Sequence, residues 1–220
     1  MEASFTYRKI NMTAATSLIL HGVSISGHVH RVELMLRMLG LPYTLVAPPA
    51  DDKAKADFAA RLNPYGQIPV LEDDDTILND STAILVYLSK RYDPEGRWLP
   101  NDPLGAAAVQ RWLSLASGEL AFGPAALRAK ALWNKPCDPA RAEVVSARLM
   151  KFMERHLEQH TYLAADHATI ADLACYGYLA HAPEGGVGLQ DYPALRAWLA
   201  RIEALPRFVP MPDSPLPAAS

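Results

Sequence analysis

Up to Tyr92 the apolar positions fall in short runs separated by polar turns, whereas beyond Pro103 they recur every three to four residues. Ser17 to His21 is a short apolar strand candidate. After a polar loop, Val32, Met35, Leu36 and Leu39 stand at i, i+3, i+4 and i+7, a helical stripe closed by Gly40. Tyr43 to Val46 is rich in β-formers, and the polar segment around Lys53 to Ala60 reads as a short helix. Ile68 to Leu71 and Thr76 to Leu78 flank an Asp-rich turn, which predicts a hairpin. Asp80 or Ser81 then caps a helix that runs to about Tyr92.

Pro94, Gly96, Pro100 and Pro103 interrupt the pattern, so a linker is expected over residues 94–103, between units at 17–93 and 104–208. In the second unit Val109, Trp112, Leu113 and Ala116 form one stripe, in a helix that Gly123 and Pro124 should kink or end. Val145, Leu149, Phe152 and Met153 form another. Thr169 to Asp172 is a capping box that opens a third helix, the Thr hydroxyl and the Asp carboxylate each satisfying an orphan backbone N–H. Pro193 opens a last helix with Leu195, Trp198, Leu199 and Ile202 facing the core. Residues 1–16 read as a loose leader and residues 209–220, rich in proline, as an extended tail. The predicted order is therefore βαβαββα followed by helices alone, an α/β unit and then an all-α one.

Composition narrows the function more than the fold. At 220 residues, 50% of them hydrophobic and 20% charged, the chain can bury a sizeable core and has no signature of disorder. Its 21 Lys and Arg against 24 Asp and Glu leave a net charge of −3, without the basic footprint a nucleic-acid partner needs. The longest apolar runs, such as Ile84 to Leu88, fall far short of the ~20 residues of a membrane span. The N-terminal stretch has no apolar core of signal-peptide length and contains Glu2, so a cytoplasmic location is expected. Cys137 and Cys175 are too few for a disulfide framework and read as reduced thiols. His156 and His160 stand at i, i+4, but solvated helix positions account for them and no metal is expected.

Three local features carry chemistry. In Ser24-Ile25-Ser26-Gly27-His28 the serines sit where the first strand gives way to a helix. As caps they need no function; as a site, a hydroxyl beside a helix N-terminus favours an anion, and a thiolate fits. In Asn63-Pro64-Tyr65-Gly66-Gln67-Ile68-Pro69-Val70-Leu71, a proline inside a strand-like run allows two readings. One is a plain edge strand. The other is a cis peptide that turns the N–H and C=O of Ile68 toward a ligand. Asp80-Ser81 is either a simple cap or a carboxylate and hydroxyl suited to a zwitterionic amino-acid head group.

Taken together these segments resemble the glutathione transferase family. NPYGQIPVL followed by NDSTAI is similar to its glutathione-binding signature, SLILHGVSISGHVHRVELMLRMLGLPY to its opening strand and helix, and ATIADLACYGYLA to its internal capping-box helix. The likeness covers roughly residues 17–208. It implies a thioredoxin-like N-terminal domain, an all-helical C-terminal domain, a homodimer, a detoxifying role, glutathione as co-substrate and a small electrophile as second substrate.

By the same resemblance, Ile68 before cis-Pro69 pairs its backbone with the cysteinyl part of glutathione, and Asp80 and Ser81 take the γ-glutamyl head group. Asp80 stands where most members carry Glu. Gln67 lies near the glycyl end, whose carboxylate is left to Lys53 or Lys55, with Lys53 preferred. Gly22 falls where tyrosine-type members carry Tyr, and Ser26 where serine-type members carry their hydroxyl. With no Cys before position 137, cysteine-type chemistry is excluded. Ser26 is therefore the expected thiol activator, Ser24 the reserve, and His28 either a direct contact or a cap. Val23, Phe122 and Trp133 are candidates for the co-substrate pocket or for packing. The alternatives are a glutathione-dependent peroxidase or isomerase, and a non-catalytic glutathione carrier or protein-interaction module of the same fold.

Overall fold

The computed structural model describes residues 18–212 and Ser214. The expected leader at 1–16 and most of the expected tail lie outside them. Four short strands form one mixed sheet in the order β2-β1-β3-β4, with β1 at Leu18–His21, β2 at Tyr43–Val46, β3 at Val70–Asp73 and β4 at Thr76–Asn79. β1 runs parallel to β2, Leu18 opposite Tyr43, and antiparallel to β3, Leu20 opposite Leu71; β3 and β4 close the expected hairpin. Leu18 and Leu20 are buried while Ile19 and His21 alternate to the other face, the period-2 pattern of a strand.

Helix α1 (Gly27–Leu39) and helix α3 (Ser81–Tyr92) cover one face of this sheet. They bury Val29, Val32, Met35 and Leu36 from one and Ile84, Leu85 and Leu88 from the other. Gly40 ends α1 at φ 71°, a left-handed cap that glycine takes without strain. Helix α2 (Asp52–Arg61) lies on the opposite face, where Phe58 meets the His21 ring edge-on, and it buries no residue fully.

The second half is helical: α4 at Pro103–Ser117, α5 at Glu119–Phe122, α6 at Pro124–Trp133, α7 at Pro139–Leu157, α8 at Ile170–Ala180 and α9 at Pro193–Glu203, with a 3₁₀ turn at Ala182–Gly185. Every residue of α8 from Ile170 to Leu179 is buried. It packs on both α4 and α1, so it forms the spine between the halves. Its N-terminus carries the expected capping box of Thr169 and Asp172.

Four expectations need correction. The third strand starts at Val70, not Ile68, because Pro69 has no N–H for the ladder. The helix after the linker breaks first at Gly118 and again at Gly123, which separates α4, α5 and α6. On α7 the buried stripe is Ala142, Ser146, Leu149, Met150, Met153 and Leu157; Phe152 is exposed and stacks near Trp112 from outside. His156 is not solvated as expected but half-buried, its Nε2 bonded to the Leu163 carbonyl at 2.9 Å. Among the described residues no group of three or more His, Cys, Asp or Glu gathers as for a metal, and no helix is long and apolar enough to cross a membrane.

Candidate functional site

A cavity of about 300 Å³ opens where the N-terminal turns of α1 and α3 meet the loop before β3. His28 from α1, Gln67, Ile68 and Pro69 from the loop, and Asp80 and Ser81 from α3 line it. Asn63, Tyr65 and Asn79 complete the wall. Five of the residues named from sequence, His28, Gln67, Ile68, Asp80 and Ser81, thus converge on one space.

The loop is shaped by Asn63, which is buried. Its Nδ2 donates to the Gln67 carbonyl at 2.9 Å, its Oδ1 accepts from Tyr65 N at 3.0 Å, and its own carbonyl accepts from Gly66 N at 2.7 Å. Gly66 turns the chain at φ 64°. The Ile68–Pro69 peptide is cis, and Ile68 lies just outside the strand register that begins at Val70.

Asp80 is the N-cap of α3, at the unusual φ of 64°. One carboxylate oxygen accepts from Thr82 N at 2.8 Å, Ala83 N at 3.0 Å and Thr82 Oγ1 at 2.5 Å. Burial alone would raise the pKa of this carboxyl, but those donors, helped by the charge of Arg31, outweigh it and hold the group below the usual carboxylate range.

Behind Ser81 stands Arg31, 1% exposed, whose Nη1 donates to Ser81 Oγ at 3.2 Å. Its Nε and Nη2 have no hydrogen-bond partner among the described residues, and the guanidinium carbon lies 5.8 Å from the centre of the Tyr178 ring. Arginine can only donate, so Ser81 Oγ accepts from it and keeps its own proton to give away. His28 Nδ1 approaches the same oxygen at 3.3 Å. Burial, with the Arg31 charge adding to it, lowers the His28 pKa to about 3, so the ring is neutral at physiological pH.

Ser26 does not line the cavity. It is the N-cap of α1, two residues before His28, and its Oγ accepts from Val29 N at 3.5 Å. Lys53 and Lys55 are exposed on α2 away from the cavity, and Lys55 pairs with Asp52 at 3.1 Å. Val23, Phe122 and Trp133 are exposed and also stand apart from it. Sequence reasoning missed Arg31, Asn63 and Tyr178. Tyr178 sits on α8 against His28, ring centroids 5.1 Å apart, and above Gly27, where an added Cβ would lie 2.8 Å from its ring. The available signal for Arg31 was a cation directly beside the buried stripe position Val32.

A mixed four-stranded sheet whose cavity is ringed by helix N-termini, backed by an all-helical half, defines a thioredoxin-like protein with a helical companion domain. Residues 20–96 match the model of the glutathione S-transferase N-terminal domain, and residues 131–206 that of the C-terminal domain. The chain is 34% identical to glutathione S-transferase 3 of Zea mays, over 92% of this chain and 99% of that one. A glutathione S-transferase structure from Xanthobacter autotrophicus superposes with a TM-score of 0.80 at 30% identity, over 89% of this chain and 97% of the other. A glutathione transferase homologue from Drosophila mojavensis, with bound glutathione, gives 0.77 at 29% identity, over 87% and 89% of the two chains. The chain belongs to the glutathione S-transferase family.

Proposed function

We propose that this protein binds glutathione in the cavity between His28, Ile68 and Ser81 and uses the Ser26 hydroxyl to hold the bound thiol as a thiolate. The observation that carries this is the convergence of Ile68, Asp80 and Ser81 on one space at two helix N-termini. Asp80 and Ser81 take the γ-glutamyl ammonium and carboxylate, with Arg31 behind Ser81 favouring the anion. The Ile68 backbone pairs with the cysteinyl unit and Gln67 meets the glycyl end.

The energy scale is modest. A free thiol has a pKa of about 8.5, so lowering it by ~2 units needs ~2.7 kcal/mol. One hydrogen bond to the charged sulfur supplies roughly 1.5–3 kcal/mol, and the α1 N-terminus up to about 1 more. The cap bond from Val29 N engages one lone pair of Ser26 Oγ, and with the Tyr178 phenol donating to the other the serine keeps its proton to give to the thiolate. The thiolate then attacks an electrophilic carbon, for instance of an aryl halide: the S–C bond forms and halide leaves. Val23, Phe122 and Trp133 are proposed for that second substrate. Residues 17–93 and 104–208, joined by 94–103, form the two domains of a cytoplasmic homodimer with a detoxifying role. A sedimentation mass near one chain contradicts the dimer.

Ser26 lies off the cavity wall, and this favours a second reading in which the same site carries glutathione without turnover. Retention on immobilised glutathione followed by assay with aryl halide, epoxide and peroxide separates the two. Retention with turnover that drops at least tenfold in Ser26→Ala supports the transferase. Retention without turnover supports the carrier, and no retention contradicts both.

A further inference from the structure

Arg128 on α6 is 1% exposed and belongs to no part of the glutathione cavity. Its Nε donates to Glu184 Oε2 at 2.6 Å, and its Nη1 donates to the backbone carbonyl of Ile25 at 2.9 Å. Ile25 is the residue directly before Ser26. Glu184 is held in turn by His181 Nδ1 at 2.7 Å on its other oxygen, within the 3₁₀ turn. That turn is pressed on α6, where a Cβ at Gly185 would stand 2.6 Å from Arg128 N. The guanidinium carbon also lies 5.7 Å from the centre of the Trp133 ring. Nη2 has no partner among the described residues, so the guanidinium is buried at a cost that packing alone does not explain.

At this point the Ser26 hydroxyl is held by the cap bond from Val29 N and by the Tyr178 side chain, while the backbone before it has few ties. Gly22 N donates to the Val46 carbonyl, Ser26 N donates to the Val23 carbonyl, and the Ser26 carbonyl already serves α1 through His30 N. The peptide between Ile25 and Ser26 is oriented from outside by Arg128. A fork of two donors set by Glu184 fixes where Nη1 points, and a point-charge ammonium cannot reproduce it.

We propose that Arg128 is a positioning residue: it reaches from the helical half to hold the Ile25 carbonyl, and so sets where the Ser26 hydroxyl stands. Through its place over the Trp133 ring it also ties the loop to the face proposed for the second substrate. This rests on Ser26 acting on the thiol as proposed above. Arg128 touches neither glutathione nor the reacting atoms, so its removal changes thiol ionisation and turnover while leaving tripeptide affinity nearly intact.

The test uses the full-length protein as wild type, Arg128→Lys and the double variant Arg128→Met/Glu184→Gln. The double variant removes both charges of the buried pair and so avoids leaving one unpaired. Thermal melts establish that each is folded, calorimetry gives the glutathione Kd, and kcat with an aryl halide is followed against pH. The expected result is an apparent thiol pKa raised by about one unit and kcat about 3-fold lower near pH 7, approaching tenfold below about pH 6, with Kd changed less than ~3-fold. In a Ser26→Ala background the same substitutions should add no further pKa shift, a non-additivity that a merely structural role does not produce.

Folded variants with the wild-type pH profile overturn the proposal. So does a pKa shift that persists unchanged without Ser26, and so does a loss of fold in both variants, which makes Arg128 structural. If wild-type protein neither binds nor turns over glutathione, the reading of the site fails and the role of Arg128 falls with it.

Discussion

His28 and Arg31 stand one helical turn apart on α1 and both reach Ser81 Oγ, one as a neutral ring and one as a permanent cation. The consequence for pH is specific. Above about pH 6.5 His28 is neutral in the folded and unfolded chain alike. Between there and its folded value of about 3, the unfolded chain takes up a proton that the folded one refuses. Stability therefore falls as pH falls through that window. At pH 5 the share from His28 is on the order of 2 kcal/mol. Urea unfolding at pH 7 and pH 5 should show this loss shrinking by about that amount in His28→Gln. An unchanged loss contradicts the burial of His28 behind Ser81.

At the scale of elements, α8 is the part on which the site depends without touching the substrate. Asp172 accepts four bonds: Thr169 N at 2.9 Å and Thr169 Oγ1 at 3.1 Å on one oxygen, Leu163 N at 3.0 Å and Trp198 Nε1 at 2.9 Å on the other. It thereby joins the start of α8 to α9 and to the segment before it. Thr169→Ala removes the cap bond from Ala171 N and the hydroxyl bond to Asp172, and should cost about 1 kcal/mol. Asp172→Ala leaves four buried donors unmatched and should cost ~3–5 kcal/mol. Chemical denaturation distinguishes them; equal costs would show that the Trp198 and Leu163 bonds carry nothing. Because Tyr178 of α8 closes over Gly27, loosening this helix also loosens the start of α1, and with it Ser26 and His28.

Across the whole molecule, what the sequence made legible is what local chemistry decides. Gly40 was legible as a helix stop, Thr169 and Asp172 as a capping box and Asp80 as a cap, each from its own neighbours, whereas the unbroken apolar run Leu18 to Leu20 did not say which face turns inward. Ile68 and Ser81 were identifiable because proline and cap residues constrain their own neighbours. Arg31 and Arg128 were not, because a lone cation on an amphipathic helix has the same local pattern whether it faces water or a buried serine or carbonyl. Only the approach of α3 to α1, and of the Ala182–Gly185 turn to α6, gives them partners. Lys53 shows the converse: a basic residue in the expected segment stands off the cavity because α2 lies on the other face of the sheet. The halves meet through α8 and Arg128, so the loop that carries Ser26 answers to both.

The central claim is that Ser26, placed at the start of α1 beside this cavity, ionises bound glutathione. The most direct measurement is the ultraviolet absorbance of the thiolate, titrated against pH with glutathione bound to wild-type protein and to Ser26→Ala. The account predicts a bound-thiol pKa ~2 units below the free value of about 8.5 in wild type, returning most of the way in Ser26→Ala. A thiol pKa equally depressed in both proteins, or unshifted in wild type, contradicts it.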